Sequence, residues 1–315
     1  MFFSVQAGSH KTNGPLSTRA VPAVFACAAL TSLCASRFAR FGSVLCVSSQ
    51  AIYIQRGESL VCLSLPQAGN MFYGALVAKE HWPLLQQGLT VGDDVYCEKA
   101  SLIFPGTASV LDLNTAEKWQ FTLPRSIADE SVRQLRYEIN LLLASCSGAA
   151  RPASAMLAEK LLIRARSASQ AFYLGKVQEA AVAMRDMLGL GFGLTPSGDD
   201  YCLGLLAAFN ILNSAGYAER VGKLSSFAAG INQGLTTKVS AWLLSLALKS
   251  IFPQRIQDIM FAAEQGSSKA MHLACWALGQ VGASSGQDIL QGMAVALEQV
   301  RPNPAVTGQV GQTDQ

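Results

Sequence analysis

Hydrophobic and polar positions change period partway along the chain, near Leu123-Pro124. Before that point short apolar runs alternate with turn signals. "SVLCVSS", "AIYIQ", "SLVCLSL", "YGALVA", "DVYCEK" and "SLIFPG" are separated by Arg56-Gly57-Glu58, Ala68-Gly69-Asn70 and Gly92-Asp93. Several alternate polar with apolar residues, as half-buried strands do. After Ser126 the apolar spacing becomes helical. In "SIADESVRQLRYEINLLLASC", Ile127, Leu135, Ile139 and Leu142 fall near one face, and Asp129 and Glu130 suit a helix start. Further helical segments are expected at about 153–173, 176–188, 196–214, 217–235, 237–251, 254–265, 267–280 and 285–299.

The fold class expected is therefore α+β. A β-rich N-terminal domain or barrel (1–125), opening on a helix at about 20–36, precedes a larger all-helical C-terminal domain (126–300). The end, 301–315, lacks apolar mass and reads as a disordered tail.

Composition narrows the function classes. Half of the 315 residues are hydrophobic and 14% are charged, which suits a well-buried globular protein. The net charge is only +3 and no Lys/Arg run interleaves with aromatics, so no nucleic-acid partner is expected. No uninterrupted apolar run is long enough to span a bilayer, which needs about 18 residues or more. "RAVPAVFACAALTSLCAS" has a secretory flavour, yet its late start and the following Arg37 and Arg40 favour a buried first helix. The eight cysteines lie scattered among apolar neighbours with no CxxC pair, pointing to reduced thiols and a cytoplasmic protein. With three histidines in all, no Cys/His zinc pattern can be assembled.

Candidate chemistry concentrates in "GLGFGLTPSGDDYCLG", residues 189–204. Thr195 suits a helix N-cap and Pro196 the first helical position. Ser197, Gly198, Asp199 and Asp200 then fill the first turn. Helix starts present unpaired N–H groups that attract anions, and Gly191 and Gly193 let the backbone close over a ligand. The aspartates would repel bare phosphate, so they either hold Mg²⁺ (Asp199 and Asp200 as ligands) or orient an amide. Capping alone is the plainer alternative. The loop is neither a Walker A sequence nor a dinucleotide fingerprint.

An echo follows 88 residues later: "PSGDDYCLGLLAA" aligns with "SSGQDILQGMAVA". Ser197 falls on Ser285, Gly198 on Gly286, Asp200 on Asp288, Gly204 on Gly292 and Ala208 on Ala296. Ser197, Asp200 and Gly204 share one helix face, and the glycine lets a second helix approach. The pattern implies a pseudo-two-fold helix pair whose starts converge on one polar site, with Ser284, Ser285 and Gly286 on its far side. Asp200 and Asp288 are the leading catalytic candidates and Asp199 the third. In "GLTTKVSAWLL", either Thr236 or Thr237 suits the cap of a further helix, and Lys238 is a candidate phosphate partner.

In chain order, "GLGFGLTPSGDDYCLGLLAA", "TTKVSAWLL" and "GASSGQDILQG" resemble the family filed as domain of unknown function 2877, which includes a subunit of the bacterial oxamate carbamoyltransferase of allantoin degradation. The β-rich "VLCVSSQAIYIQRGESLVCLSL" is similar to that family too. The resemblance covers roughly residues 20–300. It implies a carbamoyltransferase subunit that binds carbamoyl phosphate, phosphate or an oxamate-like amide, in a cytoplasmic multi-subunit enzyme of purine catabolism. A non-catalytic assembly or regulatory subunit and a metal-dependent hydrolase using Asp199, Asp200 and Asp288 are the alternatives. The chain departs from the family at Ala283, where a histidine is common, and at Gln287, where an aromatic is frequent. Any step that relies on that imidazole has no counterpart here.

Overall fold

The computed structural model describes residues 19–34, 37–146, 152–212 and 217–299. The expectation for 301–315 lies outside these. The N-terminal part contains nine strands among the described residues: β1 (Arg19–Cys27), β2 (Ala39–Val47), β3 (Ala51–Arg56), β4 (Ser59–Ser64), β5 (Gly74–Val77), β6 (Asp94–Glu98), β7 (Ser101–Phe104), β8 (Ser109–Asp112) and β9 (Glu117–Trp119). Two short helices accompany them, α1 (Ala28–Leu33) and α2 (Trp82–Gln86). The strands run β5-β4-β3-β2-β6-β7-β8-β1, and β1 pairs back onto β5 to close an eight-stranded barrel. Strand β9 adds alongside the end of β1. Closure removes the open edges an eight-stranded sheet would otherwise expose. Val21, Ile52, Ile54, Leu63, Leu102, Phe104 and Leu111 fill the interior.

One expectation is corrected. The segment at 20–36 is not a helix: Arg19–Cys27 is the strand that closes the barrel, and only Ala28–Leu33 is helical. Val21 and Ala23 point inward while Pro22 and Val24 point out. Because the outward positions are also apolar, the alternation is invisible in the sequence, and the alanines suggest a helix instead. Pro22 sits where β1 changes partner: up to that residue it pairs with β8, and from Ala23 with β5. A residue without an N–H is tolerated at such a switch.

The second part is helical, as expected. It comprises α3 (Asp129–Ser145), α4 (Pro152–Tyr173), α5 (Val177–Arg185), α6 (Ser197–Leu212), α7 (Tyr217–Gly222), α8 (Ser225–Asn232), α9 (Lys238–Ala247), α10 (Gln254–Glu264), α11 (Ser268–Gly279) and α12 (Ser285–Leu297). The segment expected as one helix at 217–235 is two, interrupted at Lys223-Leu224. Helix α6 is buried along nearly its whole length, so it forms the axis of this part.

Its main partner is α12, and glycines set the approach. A Cβ on Gly204 would lie 2.1 Å from the Ile289 carbonyl oxygen, and one on Gly292 would lie 2.3 Å from that of Tyr201. No real side chain fits at such distances, so the backbones touch. The two contacts are images of each other under the 88-residue offset.

Barrel and helices meet on a third apolar cluster, in which Tyr53, Leu60, Cys62 and Met71 pack on Val239, Trp242 and Leu243 of α9. Polar ties reinforce it. The Asn70 N–H donates to Gln254 Oε1 at 2.8 Å, and the Gln254 N–H returns a 2.9 Å bond to the Asn70 carbonyl.

Candidate functional site

The loop before α6 turns on glycine. Gly191 has φ +123°, and a Cβ there would sit 2.6 Å from the Ser197 nitrogen. The Gly198 N–H donates to the Leu190 carbonyl at 2.8 Å. The start of α12 is built the same way. Gly282 has φ +67° and lies over Ser285, and the Gly286 N–H donates to the Val281 carbonyl at 3.0 Å. The repeat thus extends upstream of the helices, but at an offset of 91 residues, because the first loop holds three more residues than the second. That insertion hides Gly282 as the partner of Gly191 in an ungapped comparison.

The carboxylates cross between the two helices. Asp200 of α6 faces the hydroxyls of Ser285 and Thr195. Those two hydroxyls are 2.8 Å apart. Asp288 of α12 faces Ser197 and Ser284 in return. Among the described residues, each carboxylate keeps one oxygen, Oδ2, buried without a hydrogen-bond partner. Burial pushes the Asp200 carboxyl well above the usual carboxylate range; Ser285 and Thr195 oppose the shift and the Asp288 charge adds to it. Burial also raises Asp288, against the hydroxyls of Ser197 and Ser284. A carboxyl favoured in its acid form offers both an O–H donor and a carbonyl acceptor.

Asp199 does something else. The Gly189 N–H donates to its Oδ1 at 2.9 Å, and the Thr236 hydroxyl donates to its Oδ2. Burial raises this group too, against the Thr236 hydroxyl and the Gly189 N–H. Both oxygens are therefore committed to fastening the glycine loop onto the approach to α9. To serve with Asp200 as the expected Mg²⁺ ligand, Asp199 would have to share these oxygens with the Gly189 N–H and the Thr236 hydroxyl. Among the described residues no group of three or more His, Cys, Asp or Glu is arranged to hold a metal ion.

Other expected residues are placed individually. Thr195 does not cap α6; its hydroxyl pairs with Ser285, and the Pro196 carbonyl accepts from the Asp199 and Asp200 N–H groups. Thr237 does cap α9, accepting from the Ser240 N–H at 3.1 Å, and it donates to the Leu194 carbonyl at 2.6 Å. The Lys238 ammonium reaches across to Gln55 Oε1 of β3 at 3.1 Å. It ties barrel to helices and does not line the cavity described next.

A cavity of about 450 Å³ lies between the barrel and the two helix starts. From the helical side Gly193, Thr195, Asp200, Ser284 and Ser285 line it, while Gly191, Ser197, Gly198, Gly286, Asp199 and Asp288 do not. From the barrel come Ser48–Ala51, Tyr53, Cys62 and Ser64. A volume of this size suits a small-molecule ligand. Burial raises Tyr53, and it holds the Cys62 thiol at a pKa of about 12, so both stay neutral.

Arg255 of α10 also lines the cavity. Its guanidinium donates to the carbonyls of Pro66 at 2.8 Å and Gln67 at 3.1 Å and to Asp258 Oδ2 at 3.1 Å. Its stem lies against Gly69, where a Cβ would sit 3.0 Å from Arg255 Cγ. Sequence reasoning misses Tyr53, Cys62 and Arg255. Arg255 is about two hundred residues of chain from the other two, and none of the three carries a chemical motif, so only the docking of α10 on the barrel brings them together.

Fold and site thus define a class: an α+β protein in which a closed barrel and a duplicated pair of helix starts enclose a ligand-sized cavity. Residues 187–297 match the family model described as oxamate carbamoyltransferase subunit AllH, bearing out over that segment the family the motifs resemble. The match runs from Met187, just before the glycine loop, to Leu297, the last residue of α12, and so takes in both helix starts. No solved structure matches the chain. Among the described residues no helix is long and apolar enough to cross a membrane.

Proposed function

We propose that this chain is a subunit of a carbamoyltransferase of the oxamate type, and that it binds a small reactant in the cavity between the barrel and the α6/α12 pair. The observation that carries the reading is Asp200. Asp200 is 3% exposed, its Oδ2 has no hydrogen-bond partner among the described residues, and the residue forms part of the cavity wall. An unsatisfied buried polar group is costly unless a ligand or water completes it.

In carbamoyl transfer the acceptor nitrogen forms a bond to the carbamoyl carbon. The bond from that carbon to the phosphate oxygen breaks, and the acceptor nitrogen loses one proton. Asp200, with Thr195 and Ser285, holds the reacting group and places donors near the oxygen on which charge develops. Asp288 sets the electrostatic environment of Asp200 from behind. Asp199 and Thr237 keep the glycine loop in position. Other subunits supply the rest of the active site, in a cytoplasmic enzyme; the eight free cysteines suit a reducing compartment.

The test is carbamoyl transfer by the assembled complex with Asp200→Asn in this chain. The reading expects a loss of about a hundredfold or more with assembly intact. Unchanged transfer would rule out a reactant site at Asp200.

A further inference from the structure

We propose that Phe192 is the residue that keeps water from the reacting group: its ring folds inward over the mouth of the occupied cavity, so that the acceptor nitrogen and not water takes the carbamoyl group. This rests on the reading above and adds the means by which transfer is kept from becoming hydrolysis.

The first observation is the exposure of the ring. Phe192 belongs to the cavity wall, yet it is 94% exposed, more than any other large hydrophobic side chain among the described residues. It stacks on none of the described aromatic rings. A phenylalanine in water forgoes the burial that normally holds this residue type inside, so the ring gains by any arrangement that covers it. Thr195 lies three residues further on, and its hydroxyl meets that of Ser285 at 2.8 Å. Three residues of chain span at most about 11 Å, which keeps the ring beside the polar end of the cavity.

The second observation is how the loop is held. Before the ring, the Gly189 N–H donates to Asp199 Oδ1 at 2.9 Å, and the Leu190 carbonyl accepts from the Gly198 N–H at 2.8 Å. After it, the Leu194 carbonyl accepts from the Thr237 hydroxyl at 2.6 Å, and Thr195 is tied to Ser285. Between these anchors, Gly191, Phe192 and Gly193 make no backbone–backbone hydrogen bond among the described residues. Gly191 and Gly193 have φ +123° and +93°, and nothing lies within 4 Å of the Cβ position of Gly193. Glycine takes either sign of φ readily, so the peptides on both sides of Phe192 can turn while the anchors hold. Closure is then a movement of one side chain and its flanking peptides, on the kind of hinge that gates other sites.

The cavity also offers apolar surface for a folded-in ring, from Ala51 and Met71 on the barrel side and Val281 and Ile289 on the helical side. A ring in that place displaces water from the end where Asp200, Thr195 and Ser285 stand. Water competes with the acceptor nitrogen for the same carbon. When water is the acceptor, its oxygen bonds to the carbamoyl carbon, the bond from that carbon to the phosphate oxygen breaks, and the water loses one proton. The products are carbamate and phosphate. Expelling water from a closed site suppresses a side reaction of this kind.

The test measures phosphate release and carbamoyl transfer to oxamate together, in the assembled complex supplied with carbamoyl phosphate. In Phe192→Ala the ratio of phosphate released to carbamoyl groups transferred should rise about tenfold, with the subunits still assembled. Phe192→Leu keeps apolar bulk and should restore most of the coupling. A general loss of folded protein lowers both rates alike and does not move this ratio. An unchanged ratio in Phe192→Ala, alongside lost transfer in Asp200→Asn, would overturn the inference and leave the cavity as a reactant site. Dissociation of the complex by Phe192→Ala would also overturn it, because the ring would then be a contact between subunits. An unchanged ratio in Phe192→Ala together with unchanged transfer in Asp200→Asn would overturn both readings.

Discussion

Thr195 and Ser285 join their hydroxyls at 2.8 Å across 90 residues of chain, tying the glycine loop before α6 to the first turn of α12. The contact sits at the mouth of the helix pair and faces Asp200. It couples the two copies of the repeat at the point where they border the cavity.

Removing one of those hydroxyls should loosen the coupling. Thr195→Val keeps the shape of the side chain, and a cost of about 1 kcal/mol is expected from the lost hydrogen bond. Fewer hydroxyls facing Asp200 should also raise its pKa further. Urea denaturation measures the first effect, and carboxyl titration followed by NMR measures the second.

Glycine contacts within the pair should tolerate nothing larger. Gly204→Ala places a methyl 2.1 Å from the Ile289 carbonyl oxygen, and Gly292→Ala meets Tyr201 in the same way. Each should destabilise the protein by about 2–3 kcal/mol or more, because backbone must move to relieve the overlap. Gly222→Ala is the control. Nothing lies within 4 Å of its Cβ position, so a change within about 0.5 kcal/mol is expected from the same denaturation curves.

Stability should depend on pH through the buried acids. Asp199, Asp200 and Asp288 all have folded pKa values raised mainly by burial. The folded state therefore holds these protons more tightly than the unfolded chain, whose carboxyls titrate near about 3.9. Below that value both states are protonated and these groups carry no penalty. Stability falls as pH rises from there through the folded values. Asp200→Asn removes one such group, so its stability should decline less steeply above about pH 4 than that of the wild type. Denaturation midpoints measured across pH check the difference in slope.

Asp199 and Asp200, though adjacent, should respond differently. Asp199→Ala strands the Gly189 N–H and the Thr236 hydroxyl. A stability loss of about 1–2 kcal/mol follows from leaving these partly buried donors unpaired. Thermal denaturation should show that loss, whereas Asp200→Asn should chiefly affect ligand binding and transfer.

Lys238→Ala should leave ligand affinity unchanged, because the ammonium bonds to Gln55 outside the cavity. The exposed contact itself should be worth about 0.5 kcal/mol or less. A tenfold loss of affinity in a titration of this variant would contradict that placement.

The sequence makes much of this architecture legible, for physical reasons that can be named. Strands such as "DVYCE" alternate inside with outside, and the helices from Asp129 onward keep an apolar stripe, so both periods register directly. Strand β1 does not register, because Pro22 and Val24 are apolar on its outer face and its identity is set by barrel closure. The short strands β8 and β9 give too little pattern to read. At the site, the repeated Ser-Gly-x-Asp identifies the paired helix starts, since close packing and a shared polar end demand the same residues twice. It does not separate Asp199 from Asp200. That distinction depends on which face of α6 meets α12 and which meets Thr236. Arg255 and the barrel wall were beyond reach, because the seam that assembles them leaves no local signature.

The most direct test of the central claim, that a reactant sits between the barrel and the α6/α12 starts, is hydrogen–deuterium exchange on the assembled enzyme with and without saturating oxamate. The account predicts slower exchange in Ser48–Tyr53, Gly193–Asp200 and Gly282–Ile289, three of the stretches that wall the cavity. Protection confined to other parts of the chain, or absent from it while transfer proceeds, would contradict it.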